Sequence, residues 1–196
     1  MPRIARKVYD NSYHHIFGRG NNKRNVFQDN QDFYKFLSLM QRYLERYPWQ
    51  IYHYVLMDNH FHILAKIIKA EHLAKIMQGL NQSYCQYYKK KYDYFGHLWQ
   101  GRFKNLLIQD DNYLLACGRY IEQNPLRAKM VADLAQYSWS SYHYYAYGKQ
   151  SSLITPDLLY ESFGKYTNKK RRAYREFVAL ANPYDKLLDQ QWSRLV

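Results

Sequence analysis

The sequence predicts an α+β fold: a ferredoxin-like antiparallel sheet with packed helices, followed by a small helical extension at the C-terminal end. Segments rich in aromatic and β-branched residues alternate with segments whose apolar residues recur at helical spacing. Their order is strand, helix, strand, strand, helix, strand, helix, which is the split β-α-β arrangement with an additional helix. A chain of 196 residues can bury one core and is close to the size of a single domain with an appendage.

Four strands are predicted from β-prone segments that Gly, Asn and Asp interrupt. Asp58 and Asn59 are expected to form a tight turn, so the second and third strands should pair antiparallel to each other. The predicted strands are 8–17, 49–57, 60–67 and 103–108.

Helices are predicted between and after these strands. Asp29 or Asn30 can cap the first helix, and Pro48 ends it. Asn124 and Pro125 are expected to stop the third helix, because the residue before a proline resists helical geometry. The second and third helices are predicted over 71–91 and 113–123, the main domain over 1–148, and two or three short helices within an extension over 149–196.

The chain is strongly basic. It has 29 Lys and Arg against 16 Asp and Glu, a formal net charge of +13, so polyanions are the expected partner. Its 23 tyrosines could stack on unpaired bases, although most are expected to be packing residues. The loop 18–25 suits contact with nucleic acid, with a solvated turn as the alternative. The candidate DNA-binding residues are Arg19, Lys23 and Arg24 in this loop, and Arg102 and Lys104 in an extended segment.

Several classes of function are disfavoured by the sequence. Cys85 and Cys117 have no metal-binding spacing, and no export signal is recognisable, so a cytoplasmic protein without disulfides is expected. No apolar run approaches the roughly 20 residues of a membrane span. The glycine-containing loop 18–25 lacks Walker spacing, so no nucleotide cofactor is expected.

Two distant stretches carry the candidate chemistry. Residues two apart in a strand share a face, which brings His60 and His62 together. Residues four apart in a helix share a face, which brings Tyr120 and Asn124 together. If the helix packs over the histidine face, a phenol, an amide oxygen and two imidazoles can converge on one cation. A buried, hydrogen-bonded histidine pair is the alternative interpretation.

This donor set fits Mg²⁺ or Mn²⁺ better than zinc, whose structural sites want four nitrogen or sulfur ligands. A divalent ion could polarise a phosphodiester, and Tyr120 could attack it if nearby positive charge activates the phenol. Attack by a protein phenol leaves a 5′-phosphotyrosyl link that conserves bond energy. The predicted reaction is therefore cleavage and rejoining of a strand.

These stretches resemble the single-tyrosine HUH transposases of the IS200-like superfamily, especially the REP-associated tyrosine transposases. The resemblance covers roughly residues 8–145 with its motifs in the family's order. The matching segments are Val55-Leu56-Met57, Asn59-His60-Phe61-His62-Ile63-Leu64, Leu98-Trp99-Gln100-Gly101-Arg102-Phe103-Lys104, Arg119-Tyr120-Ile121-Glu122-Gln123-Asn124-Pro125-Leu126-Arg127-Ala128 and Trp139-Ser140-Ser141-Tyr142.

The resemblance implies the HUH nuclease fold, with His60, His62 and Asn124 as metal ligands and Tyr120 as the nucleophile. It also implies single-stranded DNA with a neighbouring hairpin as the substrate, a requirement for Mg²⁺ or Mn²⁺, and a nucleoid-associated location. A monomer is expected, although shorter relatives form dimers that exchange the tyrosine helix. Asp58 stands where the family usually has proline, either as a turn former or as an added carboxylate near the metal.

Two other functions remain open. One is a domesticated protein that binds single-stranded DNA or REP elements without turnover. The other is a metal-dependent phosphodiesterase that uses water, in which Tyr120 is only structural. For the extension, a DNA clamp and a packing cap are equally open.

Overall fold

The fold is that of a computed structural model, which describes residues 7–181 and 183–195, with side chains to residue 190. Its strands follow the predicted order with helices between them. The strands are β1 (Ser12–Arg19), β2 (Trp49–Met57), β3 (His60–Ile67) and β4 (Lys104–Ile108). The helices are α1 (Asn30–Arg46), α2 (Ala70–Tyr92), α3 (Asp111–Arg127), α4 (Tyr142–Tyr147), α5 (Thr167–Ala179) and α6 (Tyr184–Leu195).

The four strands form one antiparallel sheet in the order β2-β3-β1-β4, which confirms the predicted fold class. β2 and β3 have their predicted bounds, but β1 starts later than predicted and extends to Arg19. The reason is pairing: β1 follows β3 up to its first residue, so Arg19 lies opposite His60 and Phe17 lies opposite His62. Arg19 therefore belongs to the end of a strand rather than to a free loop.

Helices cover both faces of the sheet because successive side chains of each strand alternate between two cores. Phe61 and Ile63 belong to the core that α1 and α2 complete. Leu64 and Val55 belong to a second core with Cys117 and Tyr120 of α3. His62 points to the same face of β3 as Leu64, because the two residues are two positions apart. Helix α3 therefore lies over the face that carries the histidines, which is the packing that the predicted site needs.

The predicted end of α3 is wrong, because the helix continues past Pro125 to Arg127. Proline cannot donate the hydrogen bond that the carbonyl of Ile121 would otherwise accept. The side chain of Asn124 substitutes for it: Nδ2 donates to the carbonyl oxygens of Tyr120 at 2.8 Å and Ile121 at 3.3 Å. The helix is thus maintained, and the orientation of the Asn124 amide is fixed.

The segment after Gly148 packs against the sheet domain. The amide of Thr155 donates to the carbonyl oxygen of Ile51 at 2.8 Å, at the edge of β2. Tyr174 and Val178 of α5 are buried in the core of α1 and α2, and Leu188 of α6 is buried in the core of α3. None of the helices in the described residues is long and apolar enough to cross a membrane.

Candidate active site

The two histidines lie where β3 begins, directly after the turn at Asp58 and Asn59. Their ring centroids are 5.1 Å apart and the rings are nearly perpendicular. His62 is fully buried and His60 is half-buried. The Asn59 side chain positions His60, because its Oδ1 lies 2.6 Å from Nδ1 of that ring. Asp58 remains in the turn, where its carbonyl oxygen accepts the amides of Val26 and Phe27 at 2.7 and 2.9 Å.

Helix α3 brings Tyr120 and Asn124 to this pair. The Tyr120 ring stands edge-on to His62, with 6.2 Å between centroids. The side chain of Asn124 hydrogen-bonds to His60. Because Nδ2 of Asn124 donates to its own helix, Oδ1 is the atom that remains to face the imidazole. The structure therefore places these four side chains in one cluster.

A third histidine belongs to the site and was missed by the sequence analysis. Nε2 of His15 lies 2.8 Å from Nδ1 of His62, and both rings are buried. Nδ1 of His15 has no hydrogen-bond partner within the described residues. The contact holds the orientation of the His62 ring, as second-layer partners do for metal-binding histidines. The two-residue alternation of β1 puts His15 on the same face as Phe17. The sequence does not reveal the register between β1 and β3, which sets His15 beside His62.

The donor set fits a divalent cation. Burial, followed by the charge of Arg19, lowers the pKa of His60 to about 4, and a hydrogen bond to Asn124 opposes this only in part. Burial lowers the pKa of His62 well below its usual range. Both imidazoles are therefore neutral near pH 7, the form that binds metals. No group of three or more His, Cys, Asp and Glu suitable for a metal occurs in the described residues, so the amide oxygen of Asn124 would complete the set.

The hydroxyl of Tyr120 is covered by the C-terminal helix. It donates to Oδ1 of Asp189 in α6 at 3.1 Å, and the residue is only 3% exposed. Burial, together with the charge of Asp189, raises the pKa of this phenol above its usual value of 10. The positive charge of Arg127 partly opposes this rise in the pKa of Tyr120. Arg127 donates to Asp189 at 2.5 Å, and its guanidinium lies 4.9 Å from the centre of the Tyr120 ring. No sequence pattern indicated the contact with Asp189, which joins residues 69 positions apart.

The predicted DNA-binding residues occupy different positions around the cluster. Arg19 is half-buried beside His60, and its Nε donates to Oε1 of Gln100 at 2.9 Å. Lys104 is exposed and pairs with Phe17, on the histidine face of the sheet. Lys23 and Arg24 are exposed in the loop after β1, and Arg102 is exposed in the segment before β4.

A buried ion cluster fixes α3 next to Tyr120. Nδ1 of His53 lies 2.9 Å from Glu122, which is two positions after Tyr120, and Nε2 lies 3.5 Å from Asp157. Ser141 and Tyr174 also donate to the Glu122 carboxylate, at 2.6 and 2.7 Å. The cluster joins β2, α3, α5 and the segment between α4 and α5, so it sets how α3 rests on the sheet.

This cluster predicts that stability falls as pH rises from about 6.5 to 9. Burial lowers the pKa of His53, but hydrogen bonds to Asp157 and Glu122 outweigh burial and raise it to about 9. Between these pH values the folded protein holds a proton that the unfolded chain has lost, so the protein is up to about 3 kcal/mol more stable below pH 6.5 than above pH 9. Urea unfolding at a series of pH values measures this dependence. His53→Gln should flatten it, and the exposed control His97→Gln should not.

The fold and the cluster define a class: an antiparallel α+β domain with a histidine pair on the sheet and a tyrosine helix packed over it. The chain belongs to the family described as Transposase IS200 like, whose sequence profile matches residues 7–124. No curated protein matches the chain at a significant level.

Two solved structures were compared with the chain, and the first of them shares its fold. A REP-associated tyrosine transposase bound to a REP hairpin superposes with a TM-score of 0.60 at 18% identity, covering 81% of this chain and 93% of that chain. A protein from Deinococcus radiodurans R1 superposes with a TM-score of 0.43 at 12% identity, covering 66% of this chain and 92% of its own.

Proposed function

We propose that the protein cleaves and rejoins single-stranded DNA beside a hairpin, through a 5′-phosphotyrosine on Tyr120. The observation that carries the proposal is the cluster itself: α3 presents Tyr120 against His62 and Asn124 against His60. Membership of the IS200-like transposases supports DNA as the substrate. The relative that binds a REP hairpin has the same fold, which supports a hairpin near the cleaved strand.

The chain's own residues supply the nucleophile and the positive surroundings. The Tyr120 oxygen forms a bond to phosphorus, the bond to the 3′ oxygen breaks, and the phenolic proton leaves to solvent while the departing oxygen takes one up. A divalent cation held by His60, His62 and Asn124 would polarise the phosphodiester and stabilise charge on that oxygen. His15 keeps the His62 ring in place, and Arg19 and Lys104 offer positive charge to the strand. A later attack by a 3′-OH reverses the step and frees Tyr120.

Formation of a covalent adduct tests the proposal. The full-length protein is incubated with a labelled hairpin that carries a single-stranded flank, with Mn²⁺, Mg²⁺ or EDTA. We expect label to comigrate with the denatured protein when a metal is present, and peptide mapping to place it in α3. Cleaved DNA without an adduct would instead support the phosphodiesterase that uses water.

A binding protein without turnover is the second candidate, and the coverage of the Tyr120 hydroxyl by Asp189 favours it. In that case, the hairpin would bind but no adduct would form under any metal condition. We also propose that the protein acts as a monomer, because α3 packs on the sheet of its own chain. A location at the nucleoid follows from the proposed DNA substrate. Residues 1–148 would carry the reaction, with 149–196 as an extension that covers it.

Removing the carboxylate that holds the phenol is expected to speed the reaction. Asp189→Ala releases the Tyr120 hydroxyl and withdraws a negative charge from the place where phosphate must approach. Since a hydrogen bond to a charged group contributes about 1.5–3 kcal/mol, we expect adduct to form about tenfold faster. Single-turnover kinetics at saturating DNA measure this rate.

Two matched variants separate this effect from general changes in the helix or the charge. Gln190→Ala alters an exposed neighbour in α6, and Glu176→Gln removes one exposed negative charge in α5. Both should react at the rate of the unaltered protein. A slower Asp189→Ala would mean that Asp189 accepts the phenolic proton instead of restraining it.

A further inference from the structure

Two adjoining cavities lie between α2 and the segment 97–103, away from the cluster of Tyr120. Their volumes are about 400 and about 480 Å³. Both are lined by Asn81, Trp99, Gly101 and Arg102, so the two cavities adjoin each other and together make up one hollow with a shared wall. The proposed mechanism uses none of these side chains as a reacting group.

The linings combine flat apolar surface, amides and cations. Trp99, Met77 and Phe103 supply the apolar part of the first cavity, and Gln78 and Asn81 supply amides. Asn81 makes no side-chain hydrogen bond to the rest of the described chain, and its Oδ1 is buried. Arg102 lines both cavities, and the second cavity adds Lys89 and His97.

The hollow is held beside the histidine strand by hydrogen bonds to the end of β1. The amide of Gln100 donates to the carbonyl oxygen of Arg19 at 2.9 Å, and the amide of Asn21 donates to that of Leu98 at 2.8 Å. Trp99 is fixed from the other side, because its Nε1 donates to the carbonyl oxygen of Asn81 at 3.1 Å. Since Arg19 pairs with His60, the hollow lies at the same end of the sheet as His60, on the side that α2 covers.

We propose that the hollow receives an unpaired nucleobase from the single-stranded DNA next to the cleaved phosphate, an inference that rests on the proposed function. A base needs an aromatic or apolar surface for stacking, amides for its polar edge and cations for the adjoining phosphate. The two linings provide all three. Phe95, whose side chain is 82% exposed, lies two positions before this segment and offers a further ring. A purely apolar ligand would have no use for Lys89 and Arg102, which favours a nucleotide.

A double-mutant cycle between protein and DNA tests the proposal. Ala74 is exposed on α2 and lines the first cavity, so Ala74→Phe fills the cavity without removing a contact. Oligonucleotides carry a hairpin and a flank in which each position in turn is abasic. With the unaltered protein, one position is expected to lose about tenfold in affinity when it is abasic, the typical effect of a stacked base. Ala74→Phe should bind the intact flank about tenfold more weakly and show no further loss at that position.

Ala132→Phe is the control, because Ala132 is also exposed but lies outside both cavities. It should retain the dependence on that one position, and circular dichroism should show all proteins folded. The same samples are assayed for the Tyr120 adduct. Adduct formation with no dependence on any flanking base would overturn the inference and leave the proposed function intact. Equal weakening of a hairpin without a flank in Ala74→Phe would also overturn it, because the hollow would then serve the duplex. If the protein neither binds the DNA nor forms the adduct, both the inference and the proposed function are overturned.

Discussion

Tyr120→Phe is expected to abolish the covalent adduct while leaving the fold and DNA binding intact. The phenyl ring keeps the edge-on packing against His62 and His15. Among the described residues, the change removes only the hydroxyl and its hydrogen bond to Asp189. Without the nucleophile, we expect adduct formation to fall by at least about 10³-fold, as happens when a catalytic nucleophile is removed from other enzymes.

The measurement is a gel assay for labelled DNA attached to the denatured protein, together with the affinity for the uncleaved hairpin. Tyr113→Phe is the matched control, because Tyr113 lies on the same helix with its ring against Tyr184. This variant should form adduct at the normal rate. Adduct that persists in Tyr120→Phe would assign the nucleophile to another tyrosine, and cleavage without adduct would make water the nucleophile.

The sequence contained enough information for the sheet and half of the cluster. Two apolar and aromatic runs separated by Asp58 and Asn59 predicted β2 and β3 with their correct bounds. The two-residue repeat in β3 then put His60 and His62 on one face. These predictions succeed because they depend on neighbours in the chain, and a tight turn leaves little choice of register.

Contacts between distant elements were not predictable in the same way. The position of His15 beside His62 depends on the β1–β3 register, and no short turn connects those strands to fix it. The contact between Tyr120 and Asp189 depends on how α6 packs, which no local pattern encodes. The predicted end of α3 was wrong for a related reason. The side chain of Asn124 donates to the carbonyl oxygen of Ile121, which replaces the hydrogen bond that Pro125 cannot make.

His60→Ala is expected to remove the response to metal without unfolding the protein. His60 is half-buried, and Asn59 and Asn124, which both contact its ring, are half-buried and can bind water in its place, so the loss in stability should be small. His62→Ala is the less informative change, because it leaves a cavity and a buried His15 without its partner, at a cost of roughly 2 kcal/mol or more. We expect Mn²⁺ to raise the melting temperature of the unaltered protein and not that of His60→Ala.

Cleavage by His60→Ala should fall by at least about 10²-fold, since the donor set loses one of its ligands. Affinity for the hairpin in EDTA should stay unchanged, because the substituted imidazole is neutral and contributes no charge to phosphate binding. His72→Ala, a half-buried histidine of α2 outside both cavities, is the control and should keep the metal response. If His60→Ala cleaves normally, the histidine pair is a buried structural pair, and the neutral imidazoles then serve only to pack α3 against the sheet.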